Sequence, residues 1–350
     1  MDTSNSISQG HIKYLDGWRG IAVLSLLFGH FTSFDTMGQF GVEVFFVLSG
    51  RLMADILFVR KLDLKTFFFR RASRIWPALL VFSLALFLVS LIGQEIGFKT
   101  NHYVHYSDFQ AAILFYMNYY VLTHQETVLA HTWSIAVEEH AYVLLALVAF
   151  LTKRSSKKAI GILALISVCC AVNGIYGSIK GGGEHDLYWR SDVRLSSVLI
   201  SSTIFLTGFG RLSTWGPLPC LTFIAALSFE FDVIPLAARY TLGTICLAIA
   251  VNTLAAAPPV ILRVLEARPL TFLGTLSFSI YLWQQPFYLV SGRLPAAFNG
   301  PLCILAIVVG AASYYYLENP VRIWLNAAWR RSVAKTKADA IPSELDVSSR

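Results

Sequence analysis

The feature that most constrains this chain is a succession of apolar runs, most of them long enough to cross a lipid bilayer. A spanning helix needs about 20 mainly apolar residues, because the hydrocarbon core is about 30 Å thick. Several runs contain Gly or polar residues, which membrane helices tolerate. The runs lie at about 15–34, 40–59, 76–94, 133–152, 159–179, 194–210, 217–231, 238–257, 270–291 and 300–321. The sequence therefore predicts an all-α, polytopic membrane protein with about ten transmembrane helices.

A further run at 109–123 is shorter and contains Asn118 and several tyrosines, so we expect a re-entrant or interfacial segment there. If this segment does not cross and the N-terminus is cytoplasmic, the predicted cytoplasmic segments contain 21 Lys and Arg residues and the external segments 6. This bias follows the positive-inside rule and predicts that both termini are cytoplasmic. We expect a membrane domain over 1–325 and a polar, flexible cytoplasmic tail over 326–350.

Composition excludes several classes of function. Only 14% of the residues are charged and 55% are hydrophobic, whereas soluble domains carry about 25% charged residues. The net charge of +7 would suit a nucleic-acid partner in a soluble protein. Here the excess of Lys and Arg in the predicted cytoplasmic loops explains this charge, and the expected partner is the lipid bilayer. The five cysteines show neither zinc nor CxxC spacing, so we predict no disulfide framework and no metal site.

The first apolar run carries two residues that are costly in a spanning helix, Arg19 and His30, which are eleven residues apart. At about 100° per residue, eleven steps make three turns plus about 20°, so both side chains share one face, about 16 Å apart along the axis. Polar groups in a span usually face protein or a water-filled cavity. We interpret this run as the catalytic helix, with Arg19 near the cytoplasm and His30 near the outside.

Two sets of carboxylates are candidate partners for His30. Glu43 follows a short hairpin and lies near the outer end of the second helix, where it can approach the imidazole and fix its tautomer. Glu138 and Glu139 lie in HTWSIAVEEHAY, and the predicted topology places them toward the outside. Ser134, Glu138 and Tyr142 repeat every four residues there, which predicts a polar stripe on an otherwise apolar helix. An interfacial position for Glu43, and helix-to-helix bonding for Glu138 and Glu139, are the alternative interpretations.

The stretch RKLDLKTFFFRRASRIW, at 60–76, is predicted to be cytoplasmic. Arg71 and Arg74 share a helical face, with Arg70 beside them. Arginine binds phosphates through two parallel hydrogen bonds, which suits a phosphate-rich donor. A basic loop that binds anionic lipid fits the same charge pattern equally well. Near the last span, Glu318 is either an interfacial residue or a partner of these arginines.

Taken together, these stretches resemble acyltransferase family 3, the integral membrane acyltransferases that modify surface glycans and other small acceptors. The resemblance rests on LDGWRGIAVLSLLFGH, GVEVFFVLSG, RRASR, HTWSIAVEEHAY, LGTLSFSIYLW and LENP, which occur in this order over about residues 12–322. It implies a ten-helix bundle and the transfer of an acyl group, often acetyl, from cytoplasmic acyl-CoA. It further implies that His30 is the general base and that Arg71 and Arg74 take part in donor binding.

The chain departs from the family pattern at three places. Arg51 stands where the family usually has Phe, and His140 and Ala141 stand where Gln-Phe is common. Gln284 occupies the histidine position of the family's YLWH-x-P, so a role for that histidine is not supported. The chain has no room for the extracytoplasmic hydrolase-like domain that often accompanies the family, and we expect the membrane domain to complete the reaction alone.

The sequence thus favours an O-acyltransferase of the bacterial inner membrane. It would move an acyl group, most simply acetyl, to a hydroxyl of exopolysaccharide, lipopolysaccharide or a lipo-oligosaccharide, with glycan-assembly proteins as candidate partners. A transporter or flippase for a polar or acylated solute is the alternative, although many transporters contain inverted repeats and none is visible here. A glycan-binding or sensory protein is a third class, but it would not need Arg19 and His30.

Overall fold

The structure is a computed structural model that describes residues 12–97, 100, 102–124, 127–183, 187–231 and 233–339; these residues form helices, turns and loops, with no strand among them. The α-helices are α1 (Lys13–Phe31), α2 (Asp35–Ala54), α3 (Leu64–Glu95), α4 (Tyr106–Ile113), α5 (Met117–Tyr120), α6 (Trp133–Leu151), α7 (Ser156–Ile179), α8 (Ser191–Thr207), α9 (Phe209–Leu212), α10 (Leu218–Ser228), α11 (Leu236–Ala238), α12 (Thr244–Thr253), α13 (Pro259–Leu265), α14 (Arg268–Ser291), α15 (Asn299–Ser313) and α16 (Asn319–Asp339). Short π-helical turns (Asp55–Val59, Arg239–Gly243, Tyr314–Glu318) and 3-10 turns (Ala130–Thr132, Leu254–Ala256, Ala296–Phe298) continue or connect them.

The prediction of an all-helical membrane protein is confirmed, and each of the ten predicted runs is mostly helical. Five helical stretches are long and apolar enough to cross a membrane by length and composition: Leu64–Glu95, Ala130–Leu151, Ser156–Ile179, Leu236–Ala256 and Ala296–Thr336. The remaining runs are shorter or carry more polar residues. Ten crossings and two cytoplasmic termini stay predictions.

The segment predicted not to cross contains two short helices, α4 and α5. Phe115, in the left-handed region with φ 57°, separates them. With eight and four residues, neither is long enough to span. Asn118 is buried and donates from Nδ2 to Ser191 Oγ at 3.0 Å, which joins this segment to the start of α8.

The basic stretch is a helix rather than a loop, because α3 begins at Leu64 instead of at the predicted residue 76. Asp63 caps the helix by accepting a hydrogen bond from the backbone N–H of Thr66 at 3.0 Å. The same bond holds the pKa of the Asp63 carboxyl below its usual value. The capped first turns of α3 therefore carry Arg70, Arg71 and Arg74 at fixed positions on a helix.

The described part of the predicted flexible tail is helical, since α16 continues to Asp339; residues 340–350 of that prediction lie outside the described residues. Trp329 stacks on Phe69 of α3, with ring centroids 4.4 Å apart. Its Nε1 also donates to Thr66 Oγ1 at 3.3 Å. Aromatic burial against α3 orders a segment whose polar composition alone predicted disorder.

Helix α1 lies between α2 and α14. Gly274 allows α14 to approach it closely, because a Cβ there would lie 1.8 Å from the carbonyl oxygen of Asp16. Further along the same pair, His30 contacts Gln284. The two helices therefore run parallel, and residues at successive turns of α14 face successive turns of α1.

Candidate active site

Five helices (α1, α2, α3, α6 and α14) enclose a cavity of about 80 Å³ in the bundle. Its wall is mostly apolar, above all on the α2 side, and polar side chains from all five helices interrupt it. The polar residues that line it are Arg19, Ser49, Arg71, Arg74, Ser134, Glu138, Ser277 and Tyr281. The structure thus brings Arg19 of the first helix together with two arginines of the basic stretch and with Glu138.

Arg71 is the centre of an ion-pair cluster. Its Nη2 lies 3.4 Å from Glu138 Oε1 and 3.8 Å from Glu139 Oε1, and its guanidinium lies 3.9 Å from the centre of the Tyr142 ring. Glu138 also accepts a hydrogen bond from Ser49 Oγ at 2.5 Å. The two glutamates therefore neutralise and orient Arg71, which is a different task from orienting His30.

The predicted depth of Glu138 and Glu139 is consequently wrong relative to the arginines. The sequence placed the glutamates outside and Arg71 near the cytoplasm, whereas the structure places them in contact. Helices α3 and α6 are antiparallel, since Arg71 meets Glu138 and Phe82 meets His131. Glu138 lies seven residues, about 10 Å along the axis, beyond His131 toward the arginine end. The early start of α3 raises Arg71 to the same level.

Tyr281 is held by two hydrogen bonds at the opposite wall of the cavity. Its hydroxyl donates to the backbone carbonyl of His131. Because that uses its one proton, the 2.6 Å contact with Ser134 Oγ must have the serine as donor. The polar stripe predicted on α6 is therefore real: Ser134 and Glu138 line the cavity, and Tyr142 donates to Ser49 Oγ at 3.2 Å.

His30 lies outside the cavity wall, at the other end of α1, and is half-buried. Its Nδ1 is 2.7 Å from Oε1 of the fully buried Gln284, and its ring stacks on Tyr288 with centroids 4.3 Å apart. Gln284 Nε2 faces the carbonyl oxygen of Tyr281 at 3.5 Å. A carbonyl oxygen can only accept, so the Gln284 amide is assigned with Nε2 toward Tyr281 and Oε1 toward His30. Because Oε1 is also an acceptor, His30 Nδ1 must carry the proton, and His30 Nε2 is the unprotonated nitrogen.

Glu43 does not orient His30, contrary to the sequence-based hypothesis. Its carboxylate pairs with Arg194 through Oε2 and accepts from Thr244 Oγ1 at 2.5 Å through Oε1. Both oxygens are thus engaged by α8 and α12, on the far side of α2 from α1. Arg194 is fully buried, and its guanidinium lies 4.4 Å from the Tyr240 ring and 4.8 Å from the Tyr188 ring.

One face of α14 joins the cavity to His30. Ser277, Tyr281, Gln284 and Tyr288 follow each other at intervals of three or four residues, so they form a continuous row. The first two line the cavity, and the last two contact His30. From the sequence alone, interhelical hydrogen bonding and an aromatic belt are the favoured interpretation of 273–287. That interpretation misses this row, although its helical spacing is the available signal.

Most of the remaining singled-out residues have structural partners. Arg51 donates to the backbone carbonyl of Val251 and does not pair with Asp55, which pairs instead with Arg60 at 2.6 Å. Glu318 accepts from Ser279 Oγ at 2.7 Å and lies near Arg74. His140 Nδ1 lies 2.7 Å from Ser191 Oγ, and Arg19 pairs with Asp16 at 3.0 Å. Arg70 is exposed and lines a surface groove that Arg74 shares.

Comparison with known proteins places this site in context. The family model described as an acyltransferase domain, of the acyltransferase 3 type, matches residues 12–317. A putative peptidoglycan O-acetyltransferase, YrhL, of Bacillus subtilis is 26% identical over 89% of this chain and 55% of its own length. The O-acetyltransferase OatA of Staphylococcus aureus is 27% identical over 90% of this chain and 58% of its own.

A peptidoglycan O-acetyltransferase, OatA, of Listeria monocytogenes is 24% identical over 92% of this chain and 57% of its own length. The chain thus spans little more than half the length of these curated relatives. No solved structure matches it.

Proposed function

Because this chain belongs to acyltransferase family 3, we propose that it transfers an acyl group, most simply acetyl, from acyl-CoA to a hydroxyl of a cell-envelope carbohydrate. The observation that carries the proposal is the pairing of His30 Nδ1 with Gln284 at 2.7 Å, on the helix whose other end places Arg19 in the arginine-lined cavity. The relatives named as peptidoglycan O-acetyltransferases support a glycan acceptor.

In the proposed reaction, His30 is the general base. Gln284 accepts the Nδ1 proton, so the Nε2 lone pair takes the proton of the acceptor hydroxyl as its oxygen attacks the thioester carbonyl. The carbon–oxygen bond forms, the tetrahedral intermediate collapses, and the carbon–sulfur bond breaks. The CoA thiolate then leaves and receives the proton from the imidazolium, which restores His30.

The arginines serve the donor in this proposal. CoA carries several phosphate charges, and Arg71 and Arg74 lie on the helix that leads from the surface into the cavity. Arg71 is held by Glu138 and Glu139, so its position does not depend on the ligand. Tyr281 donates to the backbone and is not a free donor for the oxyanion. Arg19 lies about 16 Å from His30 along α1, too far to stabilise an oxyanion beside the imidazole, and it lines the cavity with Arg71 and Arg74 on the donor side.

Purified protein in lipid nanodiscs, supplied with acetyl-CoA and soluble peptidoglycan or polysaccharide fragments, tests the proposal. We expect release of the CoA thiol that depends on the acceptor, and a mass increase of one acetyl group on the glycan. Envelope glycans from cells with and without the gene should differ by the same group. Movement of an unmodified solute across liposomes, without thiol release, would instead establish the transporter alternative.

The His30–Gln284 contact predicts a change in pH dependence. Gln284→Glu places a carboxylate beside Nδ1 and stabilises the protonated imidazole, so the acid limb of the pH–rate profile should move to higher pH. Gln284→Met keeps the size but removes the acceptor, and we expect a fall in kcat of about tenfold, the value of one hydrogen bond. Rate profiles of the two variants that coincide with that of the wild type would contradict this role.

A further inference from the structure

A surface groove of about 560 Å³ lies between the first turns of α3 and the C-terminal helix α16. The two helices are joined along its length. Phe69 stacks on Trp329, and Asn326 Nδ2 donates to Ser73 Oγ at 3.1 Å. The groove is therefore part of the fold and not a gap between separate segments.

The groove is strongly basic. Arg70 and Arg74 from α3 and Arg322 and Arg330 from α16 line it, and its other described lining residues are uncharged. On each helix the arginines are separated by one or two full turns, so they lie on the faces that meet. Glu318, at the inner end, is the nearby carboxylate that interacts with Arg74 and Arg322. Four guanidinium groups beside one carboxylate attract an anion with several charges.

Arg74 connects this groove to the interior, because it lines both the groove and the cavity that contains Arg19 and Glu138. A ligand with its phosphates in the groove would have its remaining arm directed past Arg74 into that cavity. The groove has the size of a small-ligand site, whereas the inner cavity of about 80 Å³ admits only a narrow chain.

We propose that α16 completes the donor site, and that Arg322 and Arg330 bind the phosphates at the nucleotide end of CoA. This inference rests on the proposed function. The adenosine and its phosphates occupy the groove, and the thioester arm passes Arg74 toward the cavity. A lipid phosphate offers the same chemistry, but the paired acyl chains of a membrane lipid do not fit the inner cavity of about 80 Å³, which has room for a single narrow arm.

The test compares the full chain with Arg322→Gln/Arg330→Gln in nanodiscs. The matched control is Arg331→Gln, an exposed arginine of α16 that does not line the groove. The probes are acetyl-CoA and its 3′-dephospho form. We expect KM for acetyl-CoA to rise about tenfold or more per arginine removed, with kcat nearly unchanged. The preference for the 3′-phosphate should be largely lost, and Arg331→Gln should match the wild type.

Calorimetric binding of free CoA separates this inference from the proposed function. If the wild type transfers acetyl groups and the double variant has the same KM and the same Kd for CoA, the inference is overturned while the proposed function stands. If CoA binding depends on the two arginines but no transfer occurs, the inference holds and the proposed function fails. A KM effect that appears only in anionic-lipid nanodiscs, with CoA affinity unchanged, would assign the groove to lipid and overturn the inference.

Discussion

Replacing His30 with alanine is expected to lower the rate of acyl transfer by about 10²–10⁴-fold, the range that a positioned general base contributes. The affinity for CoA should change little, because His30 does not line the arginine-bearing cavity. The measurement is the acceptor-dependent release of CoA thiol by purified protein at matched membrane levels.

Two additions make this test specific for a base. Millimolar imidazole should restore part of the activity of His30→Ala, since the half-buried ring leaves a site open to a small base. The matched control is His124→Ala, which removes an exposed histidine stacked on Tyr120. Retention of more than a tenth of the wild-type rate in His30→Ala would contradict the mechanism, as would an equal loss in His124→Ala.

The features that the sequence predicted correctly are local ones. The eleven-residue spacing of Arg19 and His30 fixed their common face, because helix geometry alone decides it. In the structure both residues lie along α14, one in the cavity wall and the other against Gln284. The stripe of Ser134, Glu138 and Tyr142 was predictable for the same reason.

The partners of these residues were not predictable from the sequence. Gln284 contacts His30 from 254 positions away, and Arg194 pairs with Glu43 from 151 positions away. Such contacts depend on which helices pack and at what relative height, and neither is encoded in a local pattern. Arg194 is one of the six Lys and Arg residues that the predicted topology assigns to external segments, because it begins a predicted helix. In the structure, the aromatic rings around its guanidinium are buried.

The position of Glu138 and Glu139 along the bundle axis, level with Arg71, was likewise not predictable from the sequence. Hydropathy located the apolar part of α3 but not its twelve-residue amphipathic beginning, which carries Arg71 into contact with Glu138. A basic stretch beside an apolar run is typical of a cytoplasmic loop. Here the Asp63 cap and packing against α16 extend the helix through it.

Removing one partner of the buried Glu43–Arg194 pair is expected to cost about 3–5 kcal/mol in the free energy of unfolding, because the remaining charge is left uncompensated. The exposed fractions of the two side chains are 7% and 0%. Glu43→Gln and Arg194→Met should therefore each lower the amount of folded protein in the membrane. The double variant Glu43→Gln/Arg194→Met should be more stable than Arg194→Met alone, since it leaves no charge without a partner.

The stability measurement also decides what Glu43 does. If the carboxylate serves the fold through Arg194 and Thr244, kcat per folded molecule of Glu43→Gln stays within about twofold of the wild type while its melting temperature in detergent falls. If it acts on His30, kcat falls and stability does not. The control is Asp192→Asn on α8, the helix of Arg194; it breaks the partly exposed pair with Arg190 and should cost less than about 1 kcal/mol. An equal loss of stability in Asp192→Asn and Glu43→Gln would show that burial of the Arg194 charge is not the cause.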